Sequence, residues 1–196
     1  MTSITAPSTV PNPRALRRLY FIRTAFSAVW VVLVFVFAAA STGALSPITV
    51  ILLVVYPLWD ALATLIDLRA DHTGRSHVPQ YLNVAFGVAA ALGIGLSFIA
   101  STDTAIAVFG AWAFVAGAVQ LILGLRRRRQ GGQWAMIASG AISVIAGISF
   151  VITGISGNGA VTSLAGYSLF GAVWFLIAAL FLTRAIASRA AHPTAA

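Results

Sequence analysis

The sequence predicts an all-α integral membrane protein, a six-helix bundle built from three parallel helical hairpins. Three observations carry this reading: an extreme apolar composition, six apolar blocks of membrane-spanning length, and arginines confined to alternate connections. Of 196 residues, 60 % are hydrophobic and 8 % charged, and the mean hydropathy is +0.96. Soluble domains carry roughly 25 % charged residues. A chain this apolar has too little polar surface to cover a core in water, so lipid is its solvent.

Residues 1–18 are small and polar, with Pro7, Pro11 and Pro13, and read as a disordered tail. Apolar blocks follow at about 19–40, 47–68, 79–100, 104–125, 134–154 and 164–184, and residues 187–196 form a second tail. Each block is near the ~20 residues a helix needs to cross ~30 Å of hydrocarbon. Backbone groups in lipid must be bonded within their own segment, which makes the blocks helices. The first has the basic flank and terminal alanines of a signal peptide, but Leu19–Ala40 exceeds the roughly 7–15 apolar residues of such a segment. It is expected to remain as a span.

All twelve basic residues are arginine. Arg14, Arg17 and Arg18 precede the first block, and Arg23 lies at its entry. Arg69 and Arg75 follow the second, Arg126, Arg127, Arg128 and Arg129 the fourth, and Arg184 and Arg189 the sixth. The other connections, near 41–46, 101–103 and 155–163, have none. Basic residues mark the cytoplasmic side, so both termini are expected there, in a cell membrane. The arginines sit between apolar blocks rather than along a soluble face, which argues against nucleic-acid binding.

An internal repeat is visible. Arg69, Arg126 and Arg184 recur at spacings of 57 and 58. Tyr81 and Trp134 open the third and fifth blocks, each followed six residues later by Gly87 or Gly140, and Tyr20 and Phe26 repeat that step. Hairpins of about 19–69, 79–126 and 134–184 are the expected units, all in one orientation. Gly110, Gly117 and Gly124 recur every seven residues, as do Gly140, Gly147 and Gly154, while Gly87, Ala91 and Gly95 recur every four. Small residues at such spacings let helix backbones approach in lipid, so these glycines are expected packing positions.

The stretch FGAWAFVAGAVQLILGLRRRRQGGQWAMIASGAISVIAGISFVIT, residues 109–153, resembles the HdeD-like membrane proteins. Gly110, Gly117, Gln120, Arg126, Trp134, Gly140 and Gly147 carry the likeness. It extends over roughly 79–184 and fades in the first hairpin, where Asp60 takes the position of Gly117. The resemblance implies a short repeated membrane domain and an association with acid resistance. It implies no catalytic residues.

Asp60 is the residue that stands out chemically. It lies nine residues before Arg69, about 13 Å inward at ~1.5 Å per residue. A carboxylate at that depth must face the bundle, find a partner or be protonated. Asp67 shares its helix face, and Pro57 one turn earlier should loosen the helix. Hydrogen bonds from Gln120, Asn83 or the backbone are the expected support for Asp60. Arg23 is expected to stand level with Asp67 and pair with it. Arg126 to Arg129 read as a topogenic cluster facing lipid headgroups.

His72 and His77 fit no metal-ligand spacing, and no metal or cofactor is expected. There is no phosphate-binding loop, HExxH or GxSxG, so an enzyme is not expected. Two functions fit the sequence. One is a non-catalytic membrane component that packs against lipid, itself as a homo-oligomer, or another membrane protein, in envelope stress or acid tolerance. The alternative is a proton or small-solute transporter using Asp60.

Overall fold

The computed structural model describes residues 13–39, 45–70, 76–126 and 134–191. They form α1 (Pro13–Ala39), α2 (Pro47–Ala70), α3 (Val78–Ala100), α4 (Thr102–Arg126), α5 (Trp134–Ile155) and α6 (Val161–Ala191), with no strand among them. All six are long and apolar enough to cross a membrane.

Helix ends follow local chemistry. Ser46 caps α2 by accepting the Thr49 N–H at 3.2 Å, and Ser101 caps α4 by accepting that of Thr104 at 3.1 Å. α5 ends in a Schellman turn: Gly157 has φ 69°, and the Asn158 N–H bonds to Thr153 O at 3.0 Å.

The outermost helices exceed the expected spans. α1 starts at Pro13 and α6 continues to Ala191, so the expected tails 1–18 and 187–196 are partly helical. Hydropathy marks only the portion that crosses hydrocarbon. Alanine and arginine are strong helix formers, and Pro13 suits a first turn, so the helices persist past the apolar boundary.

The helices close into a ring. The backbones of α4 and α5 approach most extensively, followed by α1 and α6, α2 and α3, and α3 and α4, whereas those of α1 and α2 and of α5 and α6 come close at few points. Hairpins α1–α2 and α5–α6 are therefore the most loosely spaced sequential pairs, and the three-hairpin repeat is not confirmed. The close sequential pairs, α2–α3 and α4–α5, are those joined at the arginine-bearing end, and α6 closes the ring on α1. Side-chain size explains the difference. Glycines bring α4 and α5 together, while Phe26 on Trp59 (4.5 Å) and Trp30 on Tyr56 (4.4 Å) space α1 from α2.

Trp30, Val34, Leu53, Ile94, Ile106, Phe109 and Leu164 fill the ring's centre and are all but inaccessible. Tyr56 lies among them, 6.0 Å from the Phe109 ring and 5.9 Å from Trp112, edge to face. Outward, Val29, Val32, Val36, Ile51, Leu92, Leu96, Ile145, Ile152 and Phe181 are exposed. An apolar surface of this extent is far beyond what a soluble protein presents to water.

Candidate functional site

Pro57 has no amide hydrogen, so Leu53 O loses its intrahelical donor and this stretch of α2 loosens. Nearby, Leu52 O accepts the Trp30 indole N–H at 2.6 Å. One turn further along α2, Asp60 faces the bundle. Arg23 Nη1 donates to its Oδ1 at 2.9 Å. Asn83 Nδ2 donates to Oδ2 at 2.8 Å and approaches Thr64 Oγ1 at 3.3 Å. The Arg23 guanidinium also lies 5.1 Å from the Phe175 ring centre, a cation–π contact. Four helices thus meet here: α1 through Arg23, α2 through Asp60 and Thr64, α3 through Asn83, and α6 through Phe175.

Both carboxylate oxygens are engaged and the pair is neutral as a unit. That is how a charge deep in a bundle becomes tolerable, since an unpaired one is strongly unfavourable. Arg23, Ser27, Tyr56, Trp59, Asp60 and Phe175 surround a cavity of about 20 Å³, near the volume one water requires. The Tyr56 and Ser27 hydroxyls lie 3.4 Å apart beside it.

Arg23 is expected to pair with Asp67, whose side chain lies outside the described residues; the carboxylate it meets among them is that of Asp60. Arg23 lies sixteen residues from the far end of α1, Asp60 thirteen from the corresponding end of α2, and Asp67 twenty. Asp60 is thus nearer in depth, and the long arginine side chain spans the remainder. The Asp67 side chain, His72, and Arg127 to Arg129 lie outside the described residues. Arg126 is exposed at the end of α4.

Gln120 does not reach Asp60. Its Nε2 donates weakly to Met136 O at 3.4 Å, within the α4–α5 pair. Its position is nonetheless informative. Gly87 faces Pro57 O and Ala61, as Gly140 faces Gly117 O and Leu121. Overlaying those glycines sets Gln120 beside Asp60, and Met136 beside Asn83. Asp60 therefore corresponds to Gln120, not to Gly117 as the sequence alignment suggested. Arg69 follows Asp60 by nine residues and Arg126 follows Gln120 by six, so the two arginines are not equivalent positions.

The α4–α5 seam is built from glycine. A Cβ at Gly110 would lie 2.8 Å from Gly147 O, and one at Gly147 2.7 Å from Gly110 O. Gly117 and Gly140 oppose each other in the same way, each 2.9 Å from the other's carbonyl. Gly154 would meet Asp103 O at 2.6 Å, and Gly124 the Ile137 side chain at 2.8 Å. Gly95 differs: it is exposed, and its nearest neighbour would be Val54 at 3.9 Å. Its expected packing role is corrected, because α3 turns Gly87 and Ala91, but not Gly95, towards its neighbours.

Sequence reasoning did not identify Phe175 or the Tyr167–Ser143 hydrogen bond of 2.9 Å that links α6 to α5. Phe175 meets Arg23 because the chain's first and last helices are neighbours, which no local pattern encodes. A buried arginine requires a carboxylate within reach, and that signal could have indicated Asp60.

Six spanning-length helices around a packed aromatic centre define a multi-pass membrane protein. A family model described as a short repeat of unknown function (DUF308) matches residues 81–152, and this repeat is the domain found in HdeD-like proteins. No curated protein and no solved structure matches the chain. The matched segment runs from the start of α3 into α5, so it includes Asn83, Gln120 and most of the glycine seam. Arg23 and Asp60 lie outside it.

Proposed function

We propose that this protein is a non-catalytic component of the cell membrane, with both termini cytoplasmic, acting through packing in envelope stress or acid tolerance. Its partners are lipid, further copies of itself, or another membrane protein. The observation that carries this reading is the filled centre of the ring. Trp30, Tyr56, Phe109 and Trp112 interlock there, with Val34, Leu53, Ile94 and Leu164 around them. A conduit requires polar groups along a continuous space, and this interior favours rigidity instead. A donor on each oxygen of the Asp60 carboxylate supports a structural role as well.

Proton movement through Asp60 is the second reading, supported by the small cavity that Asp60 shares with Tyr56 and Ser27. A flux assay separates the two. Purified protein in liposomes, given a pH step, should leak protons no faster than empty liposomes. In a deletion strain under acid shock, the Gly117→Leu variant should fail to restore survival. Proton flux abolished by Asp60→Asn would overturn the packing reading and establish transport.

A further inference from the structure

We propose that the outward face of α1, at its arginine-bearing end, is a binding site for one anionic phospholipid. Arg14, Arg17 and Arg18 line a groove there together with Phe21, Ile22 and Ala25. These positions follow one another at steps of one, three or four residues, which places them on one side of a helix. Arg14, Arg18, Phe21, Ile22 and Ala25 are exposed and Arg17 is half-buried.

The order along the helix matches the order of groups in a lipid. At ~1.5 Å per residue, Phe21 lies about 5 Å and Ala25 about 11 Å deeper than Arg18. Guanidinium groups at the outer level suit a phosphodiester, which they bind through paired N–H donors. The apolar side chains below them suit the start of an acyl chain. Among the described residues, no acidic side chain lines the groove. α1 begins at Pro13, so the positive end of its dipole lies beside the same arginines. Arg69 and Arg184 each stand alone on their turn by contrast. A soluble phosphate would use the arginines but gain nothing from Phe21, Ile22 and Ala25, and that feature favours lipid.

The site stands apart from the packing reading, because none of its residues belongs to the aromatic centre or the glycine seam. The full-length protein in detergent would be titrated with phosphatidylglycerol and with phosphatidylcholine, and bound lipid counted by native mass spectrometry. The wild type should retain one phosphatidylglycerol per chain in preference to phosphatidylcholine. Arg18→Gln should weaken that binding about fivefold, the equivalent of ~1 kcal/mol per arginine near an anionic headgroup, and should leave thermal stability unchanged. It leaves eleven of the twelve arginines in place, so insertion is preserved. Phe21→Ala should weaken long-chain phosphatidylglycerol more than a short-chain form. Arg184→Gln should change neither. Equal retention of phosphatidylcholine, an equal loss in Arg184→Gln, or full displacement by inorganic phosphate would overturn the proposal.

Discussion

Arg23 donates to Asp60 at 2.9 Å across the seam between α1 and α2, two helices whose backbones are held apart by aromatic side chains. The pair ties the α1–α6 unit to the α2–α3 unit at a place where aromatic bulk prevents close backbone approach. It should therefore contribute to stability well beyond its single contact. Asp60→Leu would strand the guanidinium and is expected to cost roughly 2–4 kcal/mol, whereas Arg23→Met combined with Asp60→Leu should recover most of that loss. Thermal unfolding of the detergent-solubilised variants measures both. A double variant no more stable than Asp60→Leu would show that the pair is not the relevant coupling.

Asn83 offers a graded test of the same cluster. Asn83→Ala removes the donor to Asp60 Oδ2 and should cost about 1–3 kcal/mol, the usual range for a buried acceptor left unsatisfied. Gln120→Leu removes only a 3.4 Å contact to a backbone carbonyl and should fall within about 0.5 kcal/mol of wild type, as most substitutions without a named mechanism do. Equal losses in the two variants would contradict the geometry.

The glycine seam predicts opposite outcomes at two glycines. Alanine at Gly117 would place its Cβ 2.5 Å from Ser143 Cβ and 2.9 Å from Gly140 O, and should destabilise by about 1–3 kcal/mol through overpacking. Alanine at Gly95, whose nearest neighbour would be 3.9 Å away, should be neutral or stabilising by up to ~1 kcal/mol from helix propensity alone. Melting temperatures of the two variants decide the matter. A destabilised Gly95→Ala would reveal a contact that the single chain does not contain.

Topology can be checked with reporter fusions. Those following Arg75, Arg129 and Arg189 should report the cytoplasm, and those placed within 101–103 or 157–163 the opposite side, because the arginines segregate completely. A cytoplasmic signal from 157–163 would overturn the proposed orientation.

Much of the fold was legible in the sequence because lipid leaves the backbone few choices. Apolar length alone located six helices, and the ends of α2 to α5 differ from the expected bounds by no more than two residues. The seven-residue glycine pattern indicated close packing, and Gly110 does face Gly147, as Gly117 faces Gly140. The candidate site was legible only in part. Asp60 and Asn83 were visible as polar groups at membrane depth, but the cation beside Asp60 was placed level with Asp67, about two turns away. That assignment depended on the register between α1 and α2, and hydropathy contains no information about register.

The sequence by itself determined solvent, secondary structure and the segregation of charge, since each follows from the composition of single segments. Only the tertiary structure decided which helices are neighbours, that α6 closes the ring on α1, and that Arg23 meets Asp60 and Phe175. The physical reason is that every span is apolar on most sides. In lipid no hydrophobic drive chooses one face over another, so partner choice falls to side-chain size and a few polar groups whose spatial relation emerges only once the bundle is assembled.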